Sequence, residues 1–151
     1  MKLGYDRIHI VGAGGSGMSA IAKVLVGMGH AVSGSDLRGD TTLSRLGDFG
    51  VEAYAGSRPD VAREADLVVA SSAVPERDAE LLAAAASGVP VWRRPRLLGA
   101  ITSALPAIGA TGTHGKTTTT ALLITAVRGL GLDPSFIVGG DIANLATNGH
   151  Y

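Results

Sequence analysis

The sequence predicts an α/β protein, a parallel sheet with helices on both faces, followed by the first strand, phosphate loop, helix and strand of a second α/β unit. Three observations predict it. Short apolar runs alternate with segments whose apolar residues recur at helical spacing, the pattern of strands joined by crossover helices. The 22 glycines of the 151-residue chain gather at the ends of those runs rather than in a low-complexity tract, where tight turns need a residue without Cβ. Two glycine loops each stand between an apolar run and a helix.

The elements follow in order. Ile8-His9-Ile10-Val11 is a short strand that meets the glycine cluster Gly12 to Gly17. Met18, Ile21, Ala22, Leu25 and Val26 then keep helical spacing until Gly27 and Gly29, which stop a helix. Ala31 to Gly34 reads as a second strand ending at Ser35-Asp36, and Leu43, Leu46 and Phe49 mark a second helix before the strand Val51 to Tyr54. Leu67-Val68-Val69-Ala70 is apolar throughout, as a strand covered on both faces must be. Asp78 to Ser87 is a helix rich in Ala and Leu, and Val89 to Trp92 is one more strand. Leu98 to Pro106 reads as a hinge. The pattern then restarts with Ala107 to Ala110 as a strand, a helix from Lys116 to Arg128, and Phe136-Ile137-Val138 as a strand. The chain therefore divides into residues 1–102 and residues 103–151.

Composition narrows the function classes. Lys plus Arg and Asp plus Glu number 13 each, so no net field draws the chain to nucleic acid or an anionic membrane. With no Cys there is neither a disulfide nor a thiolate metal site. The four histidines lack the paired i, i+3 or i+4 spacing of a zinc site; His9 is expected in packing, and His30 and His150 at the surface. Trp92 is expected in the core. No signal peptide and no run of about 18 apolar residues is present, so the expected location is cytoplasmic.

Gly12-Ala13-Gly14-Gly15-Ser16-Gly17 fits G-x-G-x-x-G between the first strand and the first helix. The first glycine of that pattern permits the turn, the second lets backbone approach a phosphate, and the third lets helix and sheet close up. The helix N-terminus then offers unpaired amides to a diphosphate. Asp36 ends the second strand, where an acid accepts from a ribose hydroxyl. The competing reading is a bare glycine turn with a solvated acid.

Gly112-Thr113-His114-Gly115-Lys116-Thr117 gives G-x-x-G-K-T, with Ala110 where the full Walker pattern has glycine. Backbone amides there wrap phosphates, Lys116 reaches the β and γ oxygens, and the Thr117 hydroxyl ligates Mg²⁺. His114 either contacts phosphate or adenine, or is a solvated or capping residue. Arg93-Arg94 either holds a diphosphate or sugar carboxylate, or is a solvated pair. Ser71-Ser72-Ala73 ends a buried strand at the edge where open sheets place ligands, or is a polar turn.

Together these motifs resemble the Mur ligases, the ATP-dependent amino-acid ligases of peptidoglycan synthesis. The resemblance runs through the Gly12–Gly17 loop with Met18-Ser19, Gly34-Ser35-Asp36, Ser71 to Pro75, Val91 to Arg94, Gly112 to Thr120, Asp133 to Phe136 and Gly139-Gly140. His114, where many members carry Asn, is similar to the branch that adds L-alanine to UDP-N-acetylmuramate and to the related murein tripeptide ligase. The resemblance implies that Gly14, Gly15, Ser16 and Gly17 cradle the diphosphate and that Asp36 meets the uridine. It also implies that Ser71, Ser72 and Arg93 line the nucleotide-sugar cleft, and that Gly112, Thr113, His114, Gly115, Lys116, Thr117 and Thr118 hold ATP. Lys116 and Thr117 are the expected catalytic residues, with Thr117 on Mg²⁺. Ser57 stands where members often carry a histidine near the diphosphate.

After Lys116 the acids are Asp133 and Asp141, and neither ends a long buried strand. The expectation is therefore the front of a carbon–nitrogen ligase that binds the UDP-sugar, lacks the L-alanine site and does not catalyse ligation alone. Self-association through exposed strand edges is also expected. An NAD-binding Rossmann protein is the rival reading, with no use for the second phosphate loop.

Overall fold

The computed structural model describes residues 3–39, 41–103, 106–142 and 145–151. Five strands form one parallel sheet: β1 (Arg7–Val11), β2 (Ala31–Asp36), β3 (Glu52–Ala55), β4 (Leu67–Ala70) and β5 (Val91–Arg93). Their spatial order is β3-β2-β1-β4-β5. Ile8 lies opposite Val32 on one side and Leu67 on the other.

Side chains of successive strand residues point to opposite faces, and both faces here are apolar. Ile8, Ile10, Leu67 and Val69 pack with Met18, Ile21 and Leu25 of α1 (Ser16–Gly27), Leu43 and Leu46 of α2 (Thr41–Leu46), and Leu97 of α5 (Arg94–Thr102). Val11, Val68 and Ala70 pack on the other face with Ala62 of α3 (Pro59–Glu64) and with Leu81 and Ala84 of α4 (Ala79–Ala86). That coverage explains why β4 reads as an unbroken apolar run.

Helix ends follow local chemistry. Asp78 caps α4, its side chain accepting from the Glu80 amide at 2.9 Å. Pro59 opens α3 and Pro95 lies in the first turn of α5, positions where a missing N–H costs nothing. Neither helix was expected. α5 runs to Thr102 and replaces the first part of the predicted hinge, of which positions 104 and 105 lie outside the described residues.

The second unit departs from expectation at its start. Ala107 to Ala110 forms no strand, and Ile108 is 80% exposed; a strand needs a partner to take its backbone hydrogen bonds, and no described strand lies beside it. α6 (Lys116–Gly129) follows as predicted. The strand expected at Phe136 continues as β6 (Phe136–Ile142) and pairs antiparallel with β7 (Thr147–His150), which the sequence reading lacked. Ile124, Phe136, Val138 and Ile142 form a small third core.

The β6–β7 hairpin docks on α1. Asn148 donates to the Ser16 carbonyl at 2.8 Å and the Ser19 hydroxyl at 3.0 Å, and Lys23 donates to Asn148 Oδ1 at 2.9 Å. Gly149 lies so close to α1 that a Cβ there would run into the Ala20 carbonyl.

Two histidines differ from expectation. His30 is buried, because the turn after α1 tucks under the N-terminal segment. The Leu3 amide donates to its Nε2 at 3.3 Å, so Nδ1 carries the proton it gives to the Tyr5 carbonyl at 2.8 Å. His150 is only 36% exposed and meets Asp133 Oδ2 at 3.1 Å. His9 packs as expected and is fully buried. Trp92 sits at the rim of the core, edge-on to Tyr5 and under the Arg96 guanidinium.

Gly149→Ala is expected to cost about 2 kcal/mol through overpacking against α1, read as a fall in Tm. Gly139→Ala, where a Cβ meets open space, should melt close to the parent. Equal melting of both variants would show that the hairpin does not rest on α1.

Candidate functional site

Strand order reverses between β1 and β4, and the crevice at such a reversal is where open α/β sheets bind ligands. A cleft of about 350 Å³ opens there, lined among others by Gly12, Gly15, Ser35, Asp36, Ser71 and Glu80. Gly12 turns the chain with φ +80° and faces Ser71, whose Cβ would lie 3.1 Å from any Cβ at that position. Its amide and that of Ala13 both donate to the Ser35 carbonyl at 2.9 Å. Gly15 is the N-cap of α1 and supplies no side-chain cap; its carbonyl takes the Met18 and Ser19 amides at 2.9 Å, so Ser16 and Gly17 are the helix residues whose amides have no partner within the helix.

Asp36 does more than wait at the cleft mouth. Its Oδ2 accepts the Gly14 amide at 2.9 Å and its Oδ1 accepts the Arg38 amide at 3.0 Å. Gly14 N–H is thereby committed to a protein carboxylate, unlike the Ser16 and Gly17 amides that follow it. Asp36 keeps lone pairs to spare, since a carboxylate accepts about four bonds.

The other expected residues separate. Ser71 lines the cleft, whereas Ser72 is exposed in the turn beyond it. Arg93 donates from Nη1 to the carbonyls of Ser71 at 3.2 Å and Val74 at 2.7 Å, and so braces the loop after β4 from behind. Ser16 lines a second, smaller cavity of about 120 Å³ with Lys23, Arg45, Asp141 and Asn148.

Sequence reasoning missed Glu80. It is 2% exposed on α4, lines the cleft, and uses both oxygens. Oε1 accepts from the Arg58 amide at 2.7 Å and from His9 Nε2 at 3.1 Å, and Oε2 accepts from the Ser35 hydroxyl at 2.8 Å. His9 Nδ1 in turn meets the Ser33 hydroxyl at 2.8 Å. Burial pushes the Glu80 carboxyl up, but its hydrogen bonds with His9, Ser35 and the Arg58 amide outweigh burial and hold it below its ordinary value. The available signal was a lone acid on the buried side of an Ala-rich helix together with a histidine in an apolar strand.

The second glycine loop runs along the surface. Gly112 and Gly115 take φ +144° and +80°, and Gly115 is the N-cap of α6. Lys116 curls back, donating to the Gly112 carbonyl at 2.5 Å and the Thr113 carbonyl at 3.1 Å. Thr113, His114, Thr117 and Thr118 are all exposed. Among the described residues no cluster of three His, Cys, Asp or Glu suits a metal ion, and no helix is long and apolar enough to cross a membrane.

A carboxylate with a lowered pKa adds stability above its unfolded value, and that increment fades as pH falls through the folded value. Glu80→Gln should therefore be less stable than the parent at pH 7, and the gap should narrow below about pH 4.5. Urea unfolding at pH 7 and pH 3.5 measures it. A gap of the same size at both would remove the charge of Glu80 from the account.

The profile of the Mur ligase family, catalytic domain, matches residues 7–105. The UDP-N-acetylmuramate–L-alanine ligase of Acidithiobacillus ferrooxidans is 45% identical over 98% of this chain, which spans 32% of that relative's length. The ligase of the same name from Methylobacillus flagellatus is 41% identical over 98% of the chain and 31% of its own length. Among solved structures, the UDP-N-acetylmuramate–alanine ligase of Thermotoga maritima superposes with a TM-score of 0.88 at 29% identity, over 95% of this chain and 34% of that one. The UDP-N-acetylmuramate:L-alanyl-γ-D-glutamyl-meso-diaminopimelate ligase from Neisseria meningitides gives 0.84 at 30% identity, over 95% and 46%. The family profile takes in more than half of the residues, and the chain belongs to the Mur ligase family.

Proposed function

We propose that this chain is the nucleotide-sugar-binding part, residues 1–102, and the opening of the ATP-binding part, residues 103–151, of an ATP-dependent ligase that joins L-alanine to UDP-N-acetylmuramate. The observation that carries the reading is the cleft at the β1/β4 reversal, with backbone amides at its glycine loop and a second phosphate loop further along the chain. Relatives bearing that name, 40–45% identical along nearly the whole chain, support it. They are about three times as long, and we place the L-alanine site outside these 151 residues.

In this reading Gly15, Ser16 and Gly17 offer backbone amides to the diphosphate of the UDP-sugar. Asp36 holds Gly14 with one oxygen and accepts from the ribose with its remaining lone pairs. Ser71 and Ser72 border the nucleotide sugar, and Arg93 keeps their loop in shape. Lys116 exchanges the loop carbonyls for the β and γ phosphate oxygens of ATP, with Gly112, Thr113, His114, Gly115 and Thr118 around them.

The left-handed glycines and the open helix N-terminus fit a triphosphate. Thr117 fits Mg²⁺, which takes few protein ligands and completes its shell with phosphate and water. When bound, ATP with Mg²⁺ supplies the phosphoryl group that activates the muramyl carboxylate for attack by the amine. Lys116 offsets charge on the transferring group. The cytoplasm is the location this reading carries. Self-association through the exposed strand edges of the second unit belongs to the same proposal, and sedimentation as a monomer at high concentration would remove it.

Calorimetry should detect binding of UDP-N-acetylmuramate at micromolar concentrations and none of NAD. Micromolar NAD binding without UDP-sugar binding would reverse the reading. Lys116→Ala should abolish any ATP binding the chain shows while leaving the UDP-sugar isotherm within twofold.

A further inference from the structure

Between α1, α2 and the β6–β7 hairpin lies the cavity of about 120 Å³, large enough for a small polyatomic ion and too small for a nucleotide. Thr42 and Arg45 reach it from α2, three residues apart and so on one side of that helix. Lys23 reaches it from α1, and Asp141 and Asn148 from the hairpin. The Lys23 ammonium donates to Asn148 Oδ1 at 2.9 Å and to Thr147 Oγ1 at 3.4 Å, and lies 4.2 Å from the centre of the Phe49 ring. One of its three donors is left over. Among the described residues Arg45 and Asp141 make no ion pair and no side-chain hydrogen bond. Burial pushes the Lys23 ammonium below its ordinary pKa; Asp141 opposes that and Arg45 adds to it. Two cations thus share a cavity with one acid, and no contact pairs them.

The surplus of positive charge favours an anion. Arg45 offers a planar fork that matches an oxyanion, and the Thr42 hydroxyl and the remaining Lys23 donor add single contacts. Asp141 narrows the choice. A carboxylate repels an ion that can only accept, but it accepts from an ion that carries its own O–H. Near neutral pH inorganic phosphate keeps at least one P–O–H, whereas sulfate of the same shape has none. An acid placed in a cationic cavity therefore rejects the wrong anion by charge where size cannot.

We propose that this cavity is an inorganic phosphate site, in which Arg45, Lys23 and Thr42 donate to the phosphate oxygens and Asp141 accepts from the phosphate hydroxyl and excludes sulfate. None of its charged residues lines the nucleotide-sugar cleft, and the proposal stands without that reading. Phosphate held there ties α1 and α2 to the hairpin, at a second point besides Asn148. Under the proposed function phosphate also leaves when the amine attacks the activated carboxylate, so the reaction supplies this ligand.

The test follows amide NMR shifts of the 151-residue chain while inorganic phosphate, or sulfate at matched ionic strength, is added. Phosphate should shift the Lys23, Thr42 and Arg45 amides with about tenfold higher affinity than sulfate. Arg45→Gln should weaken phosphate at those amides about tenfold, the scale of a lost charge-assisted contact, and leave UDP binding by calorimetry within about twofold. Asp141→Asn, which removes the repelling charge, should bring sulfate to within about twofold of phosphate. Tm values near the parent's would show that both variants are folded. Phosphate shifts confined to Gly15, Ser16 and Gly17 overturn the proposal, as do shifts at Thr42 and Lys23 that Arg45→Gln leaves unchanged. Equal affinity of the parent for the two anions, or a phosphate preference that survives Asp141→Asn, overturns it as well.

Discussion

Ser35 is held at both ends. Its carbonyl accepts the amides of Gly12 and Ala13, and its hydroxyl donates to Glu80. The same carboxylate takes the Arg58 amide and His9, so one buried acid joins β1, β2, α4 and the loop after β3 around a single cleft. Taking a carboxylate out of water costs several kcal/mol. Hydrogen bonds to a charged group return about 1.5–3 kcal/mol each, and Glu80 receives three. The downward displacement of its pKa says which side prevails: the folded protein prefers the charged form. Removing any one donor would leave that balance closer to even, which is why the glycine loop depends on a helix in the opposite layer.

The parallel sheet was legible because its signals are local. Leu67 to Ala70 is apolar on both alternating faces, and both faces prove to be covered. α1 and α4 show helical periodicity between a glycine or Asp start and a glycine stop, and they form within one or two residues of expectation. The glycine loops were legible for the same reason: a strand must turn into a helix within a few residues, and only glycine turns that sharply with its amides exposed.

What the sequence hid was set by contacts distant along the chain. β7 contains Asn148 and Gly149, both poor strand residues, and it is held by those two lying against α1 more than 100 residues earlier. α5 ends within Leu98 to Thr102, which read as part of a hinge, but Leu97, Leu98 and Ile101 pack into the core. His30 was expected at the surface, and no local pattern announces that the Leu3 amide and the Tyr5 carbonyl enclose it. Ala107 to Ala110 fails in the opposite way: its composition suits a strand, but composition supplies no neighbour to pair with.

The two glycine loops share one piece of physics and complete it differently. Each bends the chain through positive φ, at Gly12 in the first and at Gly112 and Gly115 in the second, and each delivers a helix N-terminus with free amides. In the first loop a carboxylate, Asp36, takes one amide and fixes the loop. That device suits a group that is held and not changed, since a rigid cradle binds without reorganising. In the second loop the fixed element is a cation. Lys116 sits on its own loop carbonyls, an arrangement of neutral acceptors it can leave when phosphate oxygens of full charge replace them. Under the proposed function, a cation that can change partners beside backbone donors serves a transferring phosphoryl group, whose charge moves during the reaction. In that proposal, the difference between a carboxylate fixed at one loop and a cation held only by neutral carbonyls at the other is the difference between a site that binds and one that reacts.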